Sequence, residues 1–188
     1  MKILAFAGAL RAGSFNRKLL AVAVESLRGK ADIDRLDLRE VAMPLYDGDL
    51  ETRDGLPEGA RRFKGRIAAA DALLVCTPEY NHSIPGTLKN AIDWASRPPD
   101  NPFRGKVVLL MGASTGQFGA VRGVLAVRQV LTALNAFVLP STVQIARADQ
   151  AFDESGRLKD PKSAAQVEKT CAEMLRVTAL LKERGGPR

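Results

Sequence analysis

Apolar runs and apolar residues at helical spacing alternate along the chain. Short apolar or alternating runs predict strands at residues 2–7, 33–38, 72–77, 106–111 and 136–139. Apolar residues three or four positions apart predict helices over 14–28, 58–70, 87–96, 120–134 and 163–183. Since the strands are mostly apolar and alternate with helices, we expect a doubly wound parallel sheet with helices on both faces. We predict a loop over 39–56, one domain over 1–184 and a frayed tail at 185–188.

Length and composition place the chain among ordinary globular domains. Its 188 residues fit a single core, and 46% apolar with 26% charged residues exclude disordered and fibrous proteins. No apolar run reaches the roughly 18 residues of a membrane span, and no signal-peptide pattern precedes the first strand. Cys76 and Cys171 lie far apart in a chain without a secretory signal, which predicts reduced thiols and a cytoplasmic location.

The net charge of +7 is concentrated at the start of the chain. Residues 1–30 contain six basic side chains and one acidic side chain, so they account for most of the excess. No block of Lys and Arg interleaved with aromatic residues is present, which argues against nucleic acid as a partner. The position of the charge, near the first loop, favours a small anionic ligand instead.

The first loop, residues 8–16, joins the first strand to the first helix. A helix N-terminus offers unpaired N–H groups and the positive end of the dipole, and Arg11, Ser14 and Asn16 add groups suited to phosphate oxygens. The loop is not a P-loop, because Ser14 and Phe15 stand where that motif needs Lys and Ser or Thr. The alternative is a capped helix start with Arg11 in solvent, and the two interpretations are evenly balanced.

The loop after the third predicted strand, residues 77–86, contains two prolines and a glycine. Its rigid backbone could hydrogen-bond the edge of a flat heterocycle beside the ring of Tyr80. The alternative is a braced connection with Glu79 in solvent and Tyr80 packed. His82 is the sole histidine and lacks partners for a metal site or a catalytic triad, so we interpret it as a rim residue.

The loop after the fourth predicted strand, residues 112–122, contains three glycines that allow close approach to a planar ligand. Ser114 and Thr115 add hydroxyl groups to it. In open parallel sheets, ligands bind outside the carboxyl ends of the strands at the switch point. The three loops are therefore expected to form one cleft, although simple turn chemistry also explains the glycines.

The segment Pro78-Glu-Tyr-Asn81, followed by residues 83–94, resembles the signature of the NAD(P)H-dependent FMN reductases. This flavodoxin-like family includes quinone, azo-dye and chromate reductases. The first loop resembles the family pattern Gly-Ser-x-Arg-x-x-Ser-x-Asn, except that Ala9 replaces the first serine. The resemblance runs from residue 1 to about residue 139.

The resemblance implies a five-stranded sheet of order 2-1-3-4-5 and bound FMN. Its phosphate is expected on Arg11, Ser14 and Asn16. Its ring is expected between two loops, contacting Pro78, Glu79, Tyr80, Asn81, Ser114, Thr115, Gly116 and Gly119. Because flavin carries the redox step, neither a catalytic side chain nor a metal is expected. NADPH or NADH would pass hydride to the flavin and then give way to the acceptor, a ping-pong sequence.

The same resemblance implies a homodimer or homotetramer, while charge and hydropathy predict no nucleic-acid or membrane partner. We interpret Trp94 as an interface residue, while the apolar patch 43–46 fits either an interface or packing within its own subunit. Arg122 and Arg128 fit a subunit contact, an acceptor pocket or a solvated helix face equally well.

The acceptor stays open among quinones, azo compounds, metal oxyanions and free flavin, as do the choice of NADPH or NADH and the tightness of FMN binding. A flavodoxin-like electron carrier or redox sensor without turnover is the main alternative, and the basic charge disfavours it. A receiver domain is disfavoured, because it needs an Asp at a strand end and the first and third predicted strands end at Gly8 and at Thr77-Pro78. A low-molecular-weight phosphatase is disfavoured because it needs a Cys in the first loop, which has none.

Overall fold

A parallel sheet forms the centre of the computed structural model, which describes residues 1–183. Its strands are β1 (Lys2–Ala7), β2 (Asp32–Leu36), β3 (Ala72–Thr77), β4 (Val107–Ala113), β5 (Phe137–Val138) and β6 (Val143–Ile145). The helices are α1 (Phe15–Ser26), α2 (Gly48–Asp54), α3 (Glu58–Ala69), α4 (Gly86–Ala95), α5 (Val121–Ala133), α6 (Ala148–Ala151) and α7 (Pro161–Glu183), with a 3-10 helix at Leu38–Val41. The order β2-β1-β3-β4-β5 confirms the predicted flavodoxin-like topology. The tail predicted at 185–188 lies outside the described residues.

Two short strands occupy the fifth position of the sheet, where one was predicted over residues 136–139. β5 pairs with Val107 and Val108 near the start of β4, and β6 pairs with the end of β4. The N–H of Leu139 still donates to the carbonyl oxygen of Val108 at 2.9 Å. Residues 139–142 separate β5 from β6, whereas only residues 109 and 110 of β4 lie between the residues with which they pair, so two extra residues interrupt the strand. The sheet therefore has six strands instead of five.

The loop predicted over residues 39–56 contains two short helices. α2 has no buried residue, so it lacks the apolar stripe from which a helix is recognised in a sequence. Its stabilisation is local, because the Asp47 carboxylate accepts a hydrogen bond from the N–H of Asp49 at 2.9 Å. α6 was missed for a related reason, since its four residues are too few to show a period.

Each face of the sheet packs against its own set of helices. Alternate residues of β1, β3 and β4 point to one face, where they meet α1 and α7, and the others meet α3, α4 and α5. β3 and β4 are buried along their whole length, which explains their continuous apolar runs. Both cysteines are free and lie in the core shared with α1 and α7, and burial raises the pKa of both thiols. No helix among residues 1–183 is long and apolar enough to cross a membrane.

Trp94 lies inside its own chain, so its interpretation as an interface residue is wrong. Its side chain is 0% exposed, and its indole N–H donates to the carbonyl oxygen of Pro44 at 2.8 Å. The Asn90 amide donates to the same oxygen at 2.8 Å and accepts from the N–H of Tyr46. The patch 43–46 is thereby attached to α4 of its own subunit, although Leu45 remains 81% exposed.

Asp37 at the end of β2 is held between two arginines. Its carboxylate accepts from Arg39 Nη2 at 2.6 Å and from Arg17 Nη2 at 2.8 Å. Hydrogen bonding to Arg39 is the largest cause that holds the pKa of this carboxyl well below its usual range. Since its pKa lies below the unfolded value of about 3.9, the group stabilises the fold above that pH. This stabilisation is lost as the pH falls.

The variant D37N is expected to be less stable than wild type at neutral pH by about 1–2 kcal/mol, because two charged hydrogen bonds are weakened. The difference should narrow as the pH is lowered from about 5 to about 2. Urea unfolding followed by circular dichroism at several pH values measures both effects. Asp100→Asn, at an exposed carboxylate with no hydrogen bond among residues 1–183, is the control. A difference in unfolding free energy between D37N and wild type that stays constant with pH would show that the ionised Asp37 carboxylate is not the source of the stabilisation.

Candidate active site at the carboxyl edge of the sheet

The three loops singled out in the sequence lie at one edge of the sheet. β1, β3 and β4 are adjacent and parallel, so the loops that follow them leave from the same side. The N–H of Gly8 donates to the carbonyl oxygen of Cys76 at 2.8 Å, and Thr77 pairs with Gly112 in the register of β3 and β4. All eleven predicted binding residues therefore belong to loops or helix starts at this edge.

The first loop presents unpaired backbone donors beside the N-terminus of α1. Among residues 1–183, no acceptor is hydrogen-bonded to the N–H groups of residues 10–13 or Phe15. Ser14 caps the helix, because its Oγ accepts from the N–H of Asn16 at 3.2 Å. Arg11 is exposed, with its guanidinium carbon 5.8 Å from the centre of the Phe15 ring. Free N–H groups, a helix dipole and a nearby cation fit an anion of phosphate size.

Asn16 is turned away from this anion cradle and joins α1 to β4. Its side chain is 2% exposed, and the amide makes two hydrogen bonds with the backbone of Ala113. Nδ2 donates to the Ala113 carbonyl oxygen at 2.8 Å, and Oδ1 accepts from the Ala113 N–H at 2.9 Å. One N–H of Nδ2 is left for another acceptor, so a phosphate contact from Asn16 stays a prediction.

The loop after β3 ends in a tight two-residue turn. Tyr80 and Ser83 exchange two backbone hydrogen bonds of 3.1 and 3.0 Å, and Asn81 and His82 between them have φ values of 48° and 63°. Positive φ at both central residues is the geometry of a type I′ turn. Tyr80 is 52% exposed and is therefore not packed as in the alternative interpretation. The His82 side chain is 76% exposed at the rim, and no metal-binding group of three or more His, Cys, Asp or Glu occurs among residues 1–183.

Glu79 is directed into the protein, in contrast to the alternative in which it lay in solvent. Its side chain is 14% exposed, and Oε2 accepts from the N–H groups of Arg122 at 2.9 Å and Gly123 at 3.3 Å. The carboxylate therefore caps the N-terminus of α5, where Ala120 offers no side-chain cap. Burial alone would raise the pKa of Glu79, but these hydrogen bonds outweigh it and the pKa lies below its ordinary value.

The loop after β4 forms the second wall of the cleft. Ser114 Oγ accepts from the N–H of Ala120 at 3.1 Å, so its hydroxyl closes the loop on itself. Thr115 and Gly116 are exposed. Gly119 has φ of 57°, and a Cβ there would lie 2.8 Å from the carbonyl carbon of Gln144. Gly119 therefore permits packing against β6, and its contact with a ligand stays a prediction.

Two residues that the sequence analysis did not single out shape the cleft. Gly123 lies inside α5, and a Cβ there would lie 2.6 Å from the Pro78 carbonyl oxygen. A glycine within a helical pattern marks such a close approach, so this signal was available. Phe118 is 62% exposed, with the Arg122 guanidinium 5.3 Å from its ring centre. An exposed aromatic residue in a loop carries no such signal.

A small apolar cavity borders the first loop. Its volume is about 270 Å³. Its lining includes Leu10, Leu38, Val41, Met43, Thr87 and Ala91. The cavity places apolar surface next to the anion cradle, a combination common in sites for ligands with a ring and a charged group.

The fold and the cleft define a flavodoxin-like oxidoreductase: an anion cradle at the first helix and two glycine-containing walls meet at the switch point of the sheet. Residues 1–150 match the family model of the NADPH-dependent FMN reductases, and the chain belongs to this family. This match confirms the resemblance seen in the sequence. It also confirms FMN and NAD(P)H as the cofactors.

Individual relatives agree with the family model. An NAD(P)H-dependent FMN reductase of Pseudomonas aeruginosa is 43% identical over 169 residues, which cover 89% of this chain and 90% of the relative. The quinone reductase of Escherichia coli is 40% identical over 143 residues, or 74% and 73% of the two chains. The flavoenzyme FerB of Paracoccus denitrificans, an NAD(P)H:acceptor oxidoreductase, superimposes with a TM-score of 0.81 at 30% identity and covers 95% of this chain and 97% of its own.

Proposed function

We propose that this enzyme uses FMN to transfer electrons from NADPH or NADH to a small quinone, with azo compounds, metal oxyanions and free flavin as further candidate acceptors. The observation that carries the proposal is a row of N–H groups at residues 10–13 that have no acceptor among residues 1–183. They lie with the Arg11 side chain at the edge where the loops after β3 and β4 meet. Relatives named quinone reductase support the choice of acceptor. Exposed Tyr80 and Phe118 offer aromatic surface to a planar ring.

Different residues would hold the two ends of the cofactor. Arg11, Ser14 and the N–H groups of residues 10–13 would bind the phosphate. The backbone of residues 78–81 and 114–119 would flank the ring. Bound FMN would supply the redox chemistry by accepting hydride from NAD(P)H and passing electrons to the acceptor. The chain itself would supply binding and orientation.

We further propose that NAD(P)H and the acceptor use the same open side of the cleft in turn. The exposed side chains at its mouth belong to the loops after β3 and β4, and Tyr80 and His82 would contact either substrate there. Such sharing requires the first product to leave before the second substrate enters. Initial rates measured against NAD(P)H concentration, at several fixed acceptor concentrations, should give parallel double-reciprocal lines. Intersecting lines would contradict this order of binding and release.

A single experiment separates the enzyme from an electron carrier. Purified protein should show a flavin spectrum after incubation with FMN, and it should oxidise NADPH or NADH continuously with a panel of quinones. A carrier would be reduced once and stop. Protein that neither binds FMN nor supports turnover would contradict the proposal. Light scattering on the same sample tests the homodimer or homotetramer that we propose by family membership.

The variant R11A is expected to bind FMN about tenfold more weakly, because a charged hydrogen bond to the phosphate contributes about 1.5–3 kcal/mol before solvent screening. Binding of riboflavin, which has no phosphate, should not change. Quenching of flavin fluorescence measures both affinities.

Arg28→Ala is the matched control, because Arg28 lies beyond the other end of α1, where it pairs with Glu25 at 2.6 Å. It removes the same charge without a contact to the first loop. Equal losses of FMN and riboflavin affinity in R11A would contradict a phosphate contact.

A further inference from the structure

Two helix N-termini border the cleft, and they differ in the hydrogen bonds that their first N–H groups make. α1 lies on one face of the sheet and α5 on the other. The first turn of α1 contains no acidic residue, and the N–H of Phe15 has no acceptor within residues 1–183. In α5 all three of the first N–H groups are paired: that of Val121 with Phe118 and the next two with Glu79. The α5 terminus is therefore closed to a ligand anion by the chain's own carboxylate.

The carboxylate that closes α5 comes from the opposite wall of the cleft. Glu79 lies between Pro78 and Tyr80 in the loop after β3, whereas its hydrogen-bond donors, the N–H groups of Arg122 and Gly123, lie in the first turn of α5, which follows the loop after β4. The contact is a charge-assisted one at a helix N-terminus, where the dipole also favours a negative group. It therefore connects the two backbone segments between which the flavin ring is expected.

Close backbone packing reinforces this connection. The gap between α5 and the loop after β3 leaves no room for a Cβ at Gly123, which would lie 2.6 Å from the Pro78 oxygen. Two basic side chains also face Glu79 Oε1, because Arg122 Nη1 and His82 Nδ1 each lie 3.4 Å away. Both belong to exposed side chains, so the backbone donors on α5 provide the ordered part of the contact.

We propose that Glu79 is a positioning residue that holds the two walls of the flavin cleft at one separation without contacting the flavin itself. This inference rests on the proposed function. It predicts that Glu79 affects the ring end of the cofactor, whereas Arg11 affects the phosphate end. Loss of the carboxylate leaves two N–H groups of α5 unpaired and frees the loop after β3 to move relative to α5.

The variants E79A and E79Q test the proposal by their affinity for two flavins. E79A is expected to bind both FMN and riboflavin about tenfold more weakly, a cost typical of a lost helix cap. E79Q keeps an oxygen that can accept from both N–H groups and loses only the charge, so its loss of affinity should be smaller. Added acetate should restore flavin affinity in E79A, because it can occupy the vacated position, and it should have no effect on R11A. In turnover assays, kcat should fall more than KM for NADPH rises.

Asp160→Ala is the matched control, because Asp160 caps α7 through the N–H groups of Lys162 and Ser163. It should lower thermal stability and leave flavin affinity unchanged. Unchanged riboflavin affinity in E79A and E79Q would overturn the inference, whether or not stability falls. Failure of the wild type to bind flavin would instead overturn the proposed function, and this inference with it.

Discussion

Replacing Asn16 by leucine is expected to lower the free energy of unfolding by about 4 kcal/mol and to abolish measurable FMN binding. Leucine has nearly the same shape as asparagine but makes no hydrogen bonds. The N–H and carbonyl oxygen of Ala113 would lose their partners at a side chain that is 2% exposed. Each buried group left unpaired costs about 1–3 kcal/mol. The start of α1 would also lose its attachment to β4, and with it the position of the anion cradle.

Asn101→Leu provides a matched control at the opposite edge of the sheet. Asn101 also makes two backbone contacts, donating from Nδ2 to Leu134 at 2.8 Å and accepting from the N–H of Phe103 at 3.0 Å. Its replacement should reduce stability while flavin affinity is retained. Urea unfolding and FMN fluorescence, measured well below the unfolding midpoint, separate the two effects. An N16L protein that binds FMN as tightly as wild type would show that Asn16 has no part in forming the cradle.

Replacing Gly123 by alanine is expected to destabilise the protein by about 2–3 kcal/mol, although glycine to alanine in a helix normally stabilises by about 1 kcal/mol. The added Cβ would lie 2.6 Å from the Pro78 oxygen and 3.0 Å from the Glu79 Cα. Both are backbone atoms, so they cannot rotate away as a flexible side chain would. The loop after β3 must move, and we expect flavin affinity to fall by about a hundredfold.

Gly65→Ala is expected to change the stability in the opposite direction, in another helix of the same chain. Gly65 lies in α3, and a Cβ there would have no neighbour within 4 Å. This variant should be more stable than wild type by about 0.5–1 kcal/mol and bind flavin normally. Thermal unfolding and flavin titration of both variants provide the comparison. A stabilised G123A protein with normal flavin binding would show that α5 and the loop after β3 are less closely packed than the distances imply.

The parts of the fold that were predicted well are those whose burial is continuous. β3 was predicted at residues 72–77, where it occurs, because all six of its residues are buried. α2 was missed because none of its residues is buried, so its stability comes from a cap and not from an apolar stripe. The division of the fifth strand into β5 and β6 was missed because it comes from two extra residues relative to β4, and a hydrophobic pattern does not show the register of pairing.

The candidate site was predicted in its location but not in the direction of its polar side chains. The loops meet at the carboxyl edge because the strands are parallel, which a topology prediction already contains. Asn16 was assigned to the phosphate from its residue type and position, and Glu79 was assigned to the flavin ring from the family resemblance. Their partners in the fold lie 97 and 43 or more residues away, at Ala113 and at the start of α5. A polar side chain in a loop suits a ligand or a distant backbone group equally well, so only the folded structure distinguishes them.

The burial of both thiols has a consequence for the proposed reaction with quinones. Quinones are electrophiles that add to cysteine, and the species that they attack is the thiolate. Cys76 and Cys171 are 0% and 1% exposed, and burial keeps both in the neutral thiol form at physiological pH. These two are the only cysteines in the sequence. The folded enzyme thus offers no accessible sulfur nucleophile to its own proposed substrate, and arylation by quinone would require the core to open first.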